Sequence, residues 1–301
     1  MTAARLLGSV VIAAHNEESV IIRCLDTLLA DFEPGELDVV VSCNGCTDGT
    51  AATVRSSAHM VRIVETETAS KPAALRAAEK ATSAFPRIYL DADVLLRSAA
   101  ARRVLECLSS GAALAARPPI KYNTDDSSAV VRSYYRARTR VPAVMNSLWG
   151  AGVYGLSEKG RSRFQDFPDM LGDDLFVDQQ FSPEEIAVIE TQPVIVNVPR
   201  RAADMLRILR RTYQGNAQNR ALASSPAEQA GTTPGTAREL ARLLLREPAR
   251  TADISVYVAL SALARGTLAV ASAHSWERDE SSRVAVRTAG SRGGQGDEVL
   301  S

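Results

Sequence analysis

The residues of this chain best suited to chemistry are two carboxylates, Asp91 and Asp93, spaced i, i+2 directly after the apolar run Ile88-Tyr89-Leu90. At the carboxyl end of a buried strand, such a pair faces the crevice in which α/β sheets bind ligands. It suits a divalent cation held against a diphosphate. The triplet therefore points to a metal-dependent enzyme acting on a phosphorylated substrate, and its plain alternative is a turn that happens to hold two aspartates. Two further polar turns, His15-Asn16-Glu17-Glu18 and Asn44-Gly45-Cys46-Thr47-Asp48, each follow a β-type run in the same way.

The elements that must position these residues alternate in period. Val10–Ala14, Val39–Val41, Val61–Val64 and Ile88–Leu90 are short β-type runs, each followed by helical spacing. Repeated β-α units imply parallel strands with right-handed crossovers, so the turns after the strands converge on one edge of the sheet. Asp48 or Thr47, Ser70 and Ser98 are expected to cap the helices that follow them, with Pro72 in the first turn after Ser70. Beyond residue 111 the spacing predicts a strand over Ala112–Ala116, one helix over Ser128–Met145, a Gly-rich strand entry at Gly150–Gly155, and a strand pair, Ile186–Ile189 with Val194–Val198, around Thr191-Gln192-Pro193. Glycines at 150, 152 and 155 fit either a close approach to ligand or a tightly packed, bulged strand. From Arg200 onward the chain reads as helical, with a loop at 224–234 and a Gly/Ser-rich tail that reads as disordered.

Composition narrows the class. In 301 residues, Lys+Arg and Asp+Glu both number 35, so no global field draws the protein to nucleic acid. A 46% hydrophobic, 5% aromatic content describes an ordinary globular protein. Cys24, Cys43, Cys46 and Cys107 are too few for a disulfide framework, and the Cys43/Cys46 pair lacks the partners a zinc site needs. With no apolar export segment near the N-terminus, a cytoplasmic protein is expected. Ile254–Ala271 is apolar but carries Arg265, which favours a packed or interfacial helix over a membrane span. Arg132, Arg136 and Arg140 line one helix face, either a solvated face or a site for an anionic acceptor or lipid headgroup.

Taken together, four segments resemble the inverting glycosyltransferases of family 2, which have the GT-A fold: Val10-Val11-Ile12-Ala13-Ala14-His15-Asn16-Glu17-Glu18, Asn44-Gly45-Cys46-Thr47-Asp48-Gly49-Thr50, Lys71-Pro72-Ala73-Ala74-Leu75 and Leu90-Asp91-Ala92-Asp93. Gly172-Asp173-Asp174 sits where that family carries its acidic pair. The resemblance implies an α/β GT-A fold, a Rossmann-like mostly parallel sheet flanked by helices with a helical C-terminal extension. It implies Mn2+ or Mg2+ on Asp93 and Asp91, with His274 as a further candidate ligand, and Asp174 as the base, with Asp173 its competitor. Donor contacts are expected at Ala14, Asn16, Glu17, Asn44, Lys71, Asp91 and Arg210. Many relatives place acidic residues where this chain has Cys43-Asn44; an Asn carbonyl can accept the same uracil N–H, so a UDP-sugar donor is favoured. The family's Arg-Trp ending is missing, and Arg207, Arg210, Arg211, Tyr213 and Gln214 occupy a comparable stretch, as a diphosphate contact or a solvated basic face.

The expected partners are a nucleotide-sugar donor and a hydroxyl acceptor, either saccharide or lipid-linked, with peripheral association at the inner face of a membrane and no nucleic acid. The expected domains are 1–199, a catalytic unit with a nucleotide-sugar half (1–110) and an acceptor half (111–199), then helices over 200–285 and a tail over 286–301. Two rival readings stand. One is a phosphatase of the haloacid dehalogenase type, with Asp91 as nucleophile and Asp93 as acid/base. The other is a non-catalytic sugar-nucleotide-binding partner subunit.

Overall fold

A run of β-branched residues buried on both sides builds the centre of the molecule: Val10, Val11 and Ile12 of strand β1 (Gly8–Ala14) are fully inaccessible. Such near-continuous apolar strands belong to parallel sheets covered on both faces. The computed structural model describes residues 5–170, 172–222, 239, 242–244 and 247–266. β2 (Leu37–Asn44), β3 (Arg62–Thr66) and β4 (Arg87–Asp91) join β1 in parallel, with Ile12 opposite Val41 on one side and Leu90 on the other. β7 (Val153–Leu156) runs antiparallel between β4 and β5 (Ala115–Arg117), and β8 (Ile186–Val188) closes a seven-stranded sheet of order β3-β2-β1-β4-β7-β5-β8.

The period of two along each strand sorts side chains into two layers. Val10, Ile12, Val39, Val41, Ile88 and Leu90 pack with α1 (Ile21–Leu29) and α4 (Ser98–Ser109). Val11, Val40 and Tyr89 pack on the other face with Leu75 and Ala78 of α3 (Lys71–Lys80). Each fully buried Leu, Ile or Val side chain contributes about 1.5–3 kcal/mol, so this sandwich is the stable frame behind the site. α2 (Thr50–Ser56) covers the β2–β3 crossover. Ser70 caps α3 as expected, its Oγ accepting from Ala73 N–H at 3.3 Å. Ser98 does not cap: it is already helical and donates to Asp31 at 2.5 Å, with Arg97 at the cap position.

The second half departs further from the sequence reading. Pro142, which lacks an N–H, interrupts the expected Ser128–Met145 helix, giving α5 (Ala129–Arg138) and a short α6 (Pro142–Met145). The segments Ile186–Val188 and Val194–Asn197 do not pair with each other. β8 instead extends the main sheet beside β5, while β9 (Val194–Asn197) pairs in parallel with β6 (Ile120–Asn123), a strand the alternation did not flag. β8 and β9 pair with separate strands on either side of Pro118-Pro119, which splits β5 from β6.

Two short helices, α7 (Glu158–Arg161) and α8 (Asp173–Asp178), follow β7. Then α9 (Ala202–Leu222) and α10 (Thr251–Gly266) pack with α5 around Tyr134, Met205, Leu209, Tyr257 and Leu260. No described helix is long and apolar enough to cross a membrane. The rest of the apolar stretch to Ala271, the loop at 224–234 and the tail lie outside the described residues.

Candidate active site

Because β1, β2 and β4 are parallel, their carboxyl ends deliver Ala14, Asn44 and Asp91 to one edge, and antiparallel β7 brings its amino end to the same place. Asp91 N–H donates to Gly152 O at 2.8 Å, which locks the 150–152 turn against the Asp91-Ala92-Asp93 triplet. Gly152 has φ +65, and a Cβ there would lie 2.6 Å from Val94 Cγ2 and 3.1 Å from Asp91 Oδ2, so only glycine fits. Gly155 sits deeper, where a Cβ would meet Leu108 and Val104 of α4 at 2.9 Å. The two glycines thus answer the sequence question differently: Gly152 lets the backbone approach the carboxylate, and Gly155 serves packing.

Lys71, the first residue of α3, reaches between two acidic centres. Its Nζ lies 2.6 Å from Asp91 Oδ1 and 2.8 Å from Asp173 Oδ1. Burial disfavours the ammonium, but Asp173, Asp91 and Asp174 outweigh it and hold the Lys71 pKa well above its ordinary value. Burial pushes the Asp91 carboxyl up to about 6; Lys71 opposes this, and Asp173 and Asp93 add to it. Lys71, Leu75, Tyr89, Asp91, Asp173 and Asp174 line one small crevice.

The acidic pair divides in role. Asp173 is buried, with Oδ1 on Lys71 and Oδ2 accepting from Tyr154 OH at 3.0 Å. Asp174 is half-buried and accepts only backbone donors, Gly150 N–H at 2.7 Å and Leu175 N–H at 2.8 Å. Its pKa is raised by burial and by Asp173, against Lys71 and the two N–H groups. Asp178, one turn further along α8, accepts from Leu148 N–H at 2.6 Å. Burial pushes its carboxyl up to about 6, with Asp174 adding to the shift and Leu148 N–H and Arg117 opposing it.

The first two turns are mainly braced against each other. Asn16, at φ +52, accepts from Thr47 N–H at 2.7 Å, Glu17 N–H donates to Thr50 Oγ1 at 2.8 Å, and Glu18 accepts from Gly49 N–H at 3.1 Å. Asn44 is 1% exposed; its Nδ2 donates to Ala14 O at 2.7 Å and its Oδ1 accepts from Ser70 N–H at 3.1 Å. The expectation that the Asn44 carbonyl meets a base ring N–H therefore loses its physical ground, because that oxygen ties β2 to the cap of α3. The Ala14 carbonyl is likewise engaged, by Asn44 and by Cys46 Sγ at 3.5 Å. Cys43 is buried, and burial followed by Cys46 pushes its thiol up to about 12.

Asp93 is exposed and has no side-chain hydrogen bond or ion pair among the described residues. No group of three His, Cys, Asp or Glu suited to a metal ion occurs among the described residues. Asp91 and Asp93 are two, and His274 lies outside the described residues. Two carboxylates fit a hard cation that takes its remaining oxygens from phosphate and water. The free carboxylate of Asp93, and a cation already accepted by Asp91 in the form of Lys71 Nζ, agree with that fit.

Arg210, on α9, is half-buried, and its Nε is buried without a hydrogen-bond acceptor among the described residues. The stripe of Arg132, Arg136 and Arg140 is largely engaged: Arg136 binds Asp253 through Nε (2.9 Å) and Nη2 (2.6 Å), Arg140 lies 3.6 Å from Glu247, and Arg132 donates to Ser127 O. Sequence reasoning passed over Tyr154, Arg117 and Arg138 as site residues, and gave Asp178 a place only in the downstream acid motif of the phosphatase reading, although i, i+4 spacing from Asp174 puts both on one helix face.

Comparison with known proteins agrees with this geometry. Residues 9–151 match the family model of Glycosyl transferase family 2. No curated protein matches the chain significantly. Among solved structures, the mannosyltransferase PcManGT from Pyrobaculum calidifontis, in complex with GDP-Man and Mn2+, is similar with a TM-score of 0.63 and 19% identity over 87% of this chain and 86% of that one. TarS 1-349 from S. aureus, in complex with UDP, has a TM-score of 0.50 and 16% identity over 86% of this chain and 91% of that one. The matched segment holds the first strand, both braced turns, Lys71 and the Asp91-Ala92-Asp93 triplet, an order a phosphatase nucleophile after a first strand does not share. Residues 9–151 of this chain match the model of Glycosyl transferase family 2, and the chain has the GT-A fold of the nucleotide-sugar glycosyltransferases to which it is similar.

Proposed function

We propose that the enzyme transfers a sugar, with inversion, from a nucleoside-diphosphate sugar to an acceptor hydroxyl, with Asp93 and Asp91 holding Mg2+ or Mn2+ and Asp174 acting as base. The observation that carries this reading is the Lys71 bridge, which joins the triplet carboxylate of Asp91 to the acidic pair through Asp173 in one crevice. Similar proteins are described with GDP-Man and Mn2+ and with UDP, which supports a donor of this chemical type. A divalent ion, when bound, neutralises charge developing on the leaving diphosphate. Asp91 and Asp93 would hold that ion. Lys71 keeps the neighbouring carboxylates compensated while the site is empty of substrate, and Asp173 fixes Lys71 and Tyr154.

Asp174 takes the acceptor proton. Two backbone N–H groups fix its orientation without neutralising it, and its raised pKa makes it a stronger base than an ordinary carboxylate. One in-line displacement then inverts the anomeric carbon, by analogy with single-displacement glycoside chemistry. The donor base is left to a direct panel, since Asn44 is engaged elsewhere. A lipid-linked or saccharide acceptor and work at the cytoplasmic face of a membrane belong to the same proposal.

The test is a thermal-shift panel of UDP, GDP and other nucleoside diphosphates with and without Mn2+ or Mg2+, because binding stabilises by mass action. A metal-dependent rise with one base is expected, lost in Asp93→Asn and retained in Asp174→Asn. Stabilisation by no nucleotide, or equal stabilisation without metal, overturns it.

A further inference from the structure

Arg138 ends α5 beside the crevice in an aromatic setting, and its charge meets no acid among the described residues. Its Nε donates to Tyr122 OH at 3.1 Å, its guanidinium lies 4.9 Å from the Trp149 ring centroid and 5.8 Å from that of Tyr122, and no carboxylate pairs with it among the described residues. This contrasts with Arg136 on the same helix, which is neutralised by Asp253. A half-buried guanidinium without a counterion is a costly arrangement for structure alone. Beside it, Trp149 Nε1 is buried with no acceptor among the described residues, so donors are in surplus.

The position of that surplus matters. Arg138 Nη2 would lie 3.5 Å from a Cβ on Gly150, and Gly150 N–H is the donor that holds Asp174 Oδ2 at 2.7 Å. Arg138 and the base therefore flank a single residue from two sides without pairing with each other. With Nε engaged by Tyr122, the Nη1/Nη2 edge remains as a planar fork suited to two oxygens of one oxyanion.

We propose that Arg138 is the anion-binding residue of the acceptor pocket and that the enzyme glycosylates an acceptor carrying a phosphate group close to the reacting hydroxyl. The proposal rests on the donor-site and base assignments above. It concerns the phosphate of the acceptor, whether on a soluble molecule or on a lipid, and not the donor diphosphate.

The experiment saturates the full-length protein with its preferred nucleoside diphosphate and Mg2+, then titrates inorganic phosphate while following tryptophan emission, to which Trp149 reports directly. A saturable change is expected in the wild type, at least tenfold weaker in Arg138→Met and partly restored in Arg138→Lys. Nucleotide affinity should stay within twofold in both variants, which also certifies their folding. Glycerol 3-phosphate and vesicles containing phosphatidic acid then compete with inorganic phosphate; either one competing supports the proposal and names the source, and neither competing overturns it. An unchanged phosphate response in Arg138→Met overturns the proposal while leaving the donor site intact. So does a tenfold loss of nucleotide affinity in that variant, which assigns the guanidinium to the donor diphosphate. Failure of the wild type to bind any nucleotide overturns the donor site itself and this proposal with it.

Discussion

The two halves of the catalytic unit handle polar residues in opposite ways. Around the ends of β1 and β2, Asn16, Glu18, Asn44, Asp48 and Thr50 are largely engaged by one another and by backbone N–H groups, leaving the Asp91-Ala92-Asp93 triplet and Lys71 for chemistry. Past residue 111, Arg117 binds only carbonyls and Arg138 binds a tyrosine, and neither pairs with an acid among the described residues. In the proposed mechanism, a frame of mutually satisfied turns fixes where the donor diphosphate goes. The half with surplus charge and backbone-held carboxylates is the half that can be tuned to an acceptor.

The sharpest way to break this comparison is to separate the two adjacent carboxylates. Asp174→Asn removes the proposed base while keeping an acceptor for Gly150 N–H, and kcat should fall about 10²–10⁴-fold with nucleotide affinity unchanged. Asp173→Asn removes a buried partner of Lys71 and Tyr154, and its main effect should be on stability, on the order of 2–4 kcal/mol. Denaturant midpoints and single-turnover rates of the pair give the answer: equal kinetic losses in both variants would erase the division of roles. With Asp174 as the proposed base, its protonation abolishes activity, so the acidic limb of kcat/KM should lie above the ordinary carboxylate value, the direction in which burial and Asp173 move it.

Next in size is the brace beneath the acceptor loop. Arg117 is fully buried and donates to Ser147 O at 2.5 Å, Met145 O at 2.5 Å and Pro118 O at 2.8 Å, while Asp178 and Asp174 hold the N–H groups of Leu148 and Gly150. Burial pulls the Arg117 pKa down to about 10, still well above neutral pH. Arg117→Met should therefore leave carbonyls unsatisfied and cost about 2–3 kcal/mol, read as a lower urea midpoint. Transfer should fall more than nucleotide binding does, because the braced N–H groups of Leu148 and Gly150 are held by Asp178 and Asp174, whereas Asp91 is also held by its own strand pairing with β1. Equal losses in both would remove the distinction between the two halves.

That brace also explains what the sequence made legible. The donor half could be read because each function there is local: an apolar run, a polar turn and a capped helix follow one another, and parallel pairing brings the turns together without further information. Ser70 and Asp91 were identifiable on those grounds, and Lys71 through the family resemblance. The acceptor half is assembled from contacts far apart in sequence, with β5 beside β8, β6 beside β9, and Arg117 on carbonyls about thirty residues away. No periodicity encodes such pairings. The same limit hid Arg138, since a helix read from spacing displays its regular stripe at 132, 136 and 140, whereas the unpaired guanidinium lies on another face.

The smallest expected effect tests whether the helical cluster behaves as a separate support. Asp253 of α10 receives Ser133 Oγ at 2.5 Å and the Arg136 guanidinium, and chiefly through Arg136, against burial, its carboxyl is pulled down to about 2. A depressed folded-state value means the contribution is present above the ordinary carboxylate pKa and is lost as pH falls from about 4 towards 2. Arg136 is half exposed to solvent, which screens the pair, so the contribution is about 1 kcal/mol and not the full value of the shift. Asp253→Asn should lower the thermal midpoint by a few degrees at pH 7 and by progressively less as the wild type is taken towards pH 3. Nucleotide-induced stabilisation should be the same in variant and wild type, because the clamp joins α5 to α10 and touches neither Lys71 nor Asp91. A loss of nucleotide response in Asp253→Asn would mean that the helical cluster communicates with the donor edge through α5, and the two halves would then have to be treated as one coupled site.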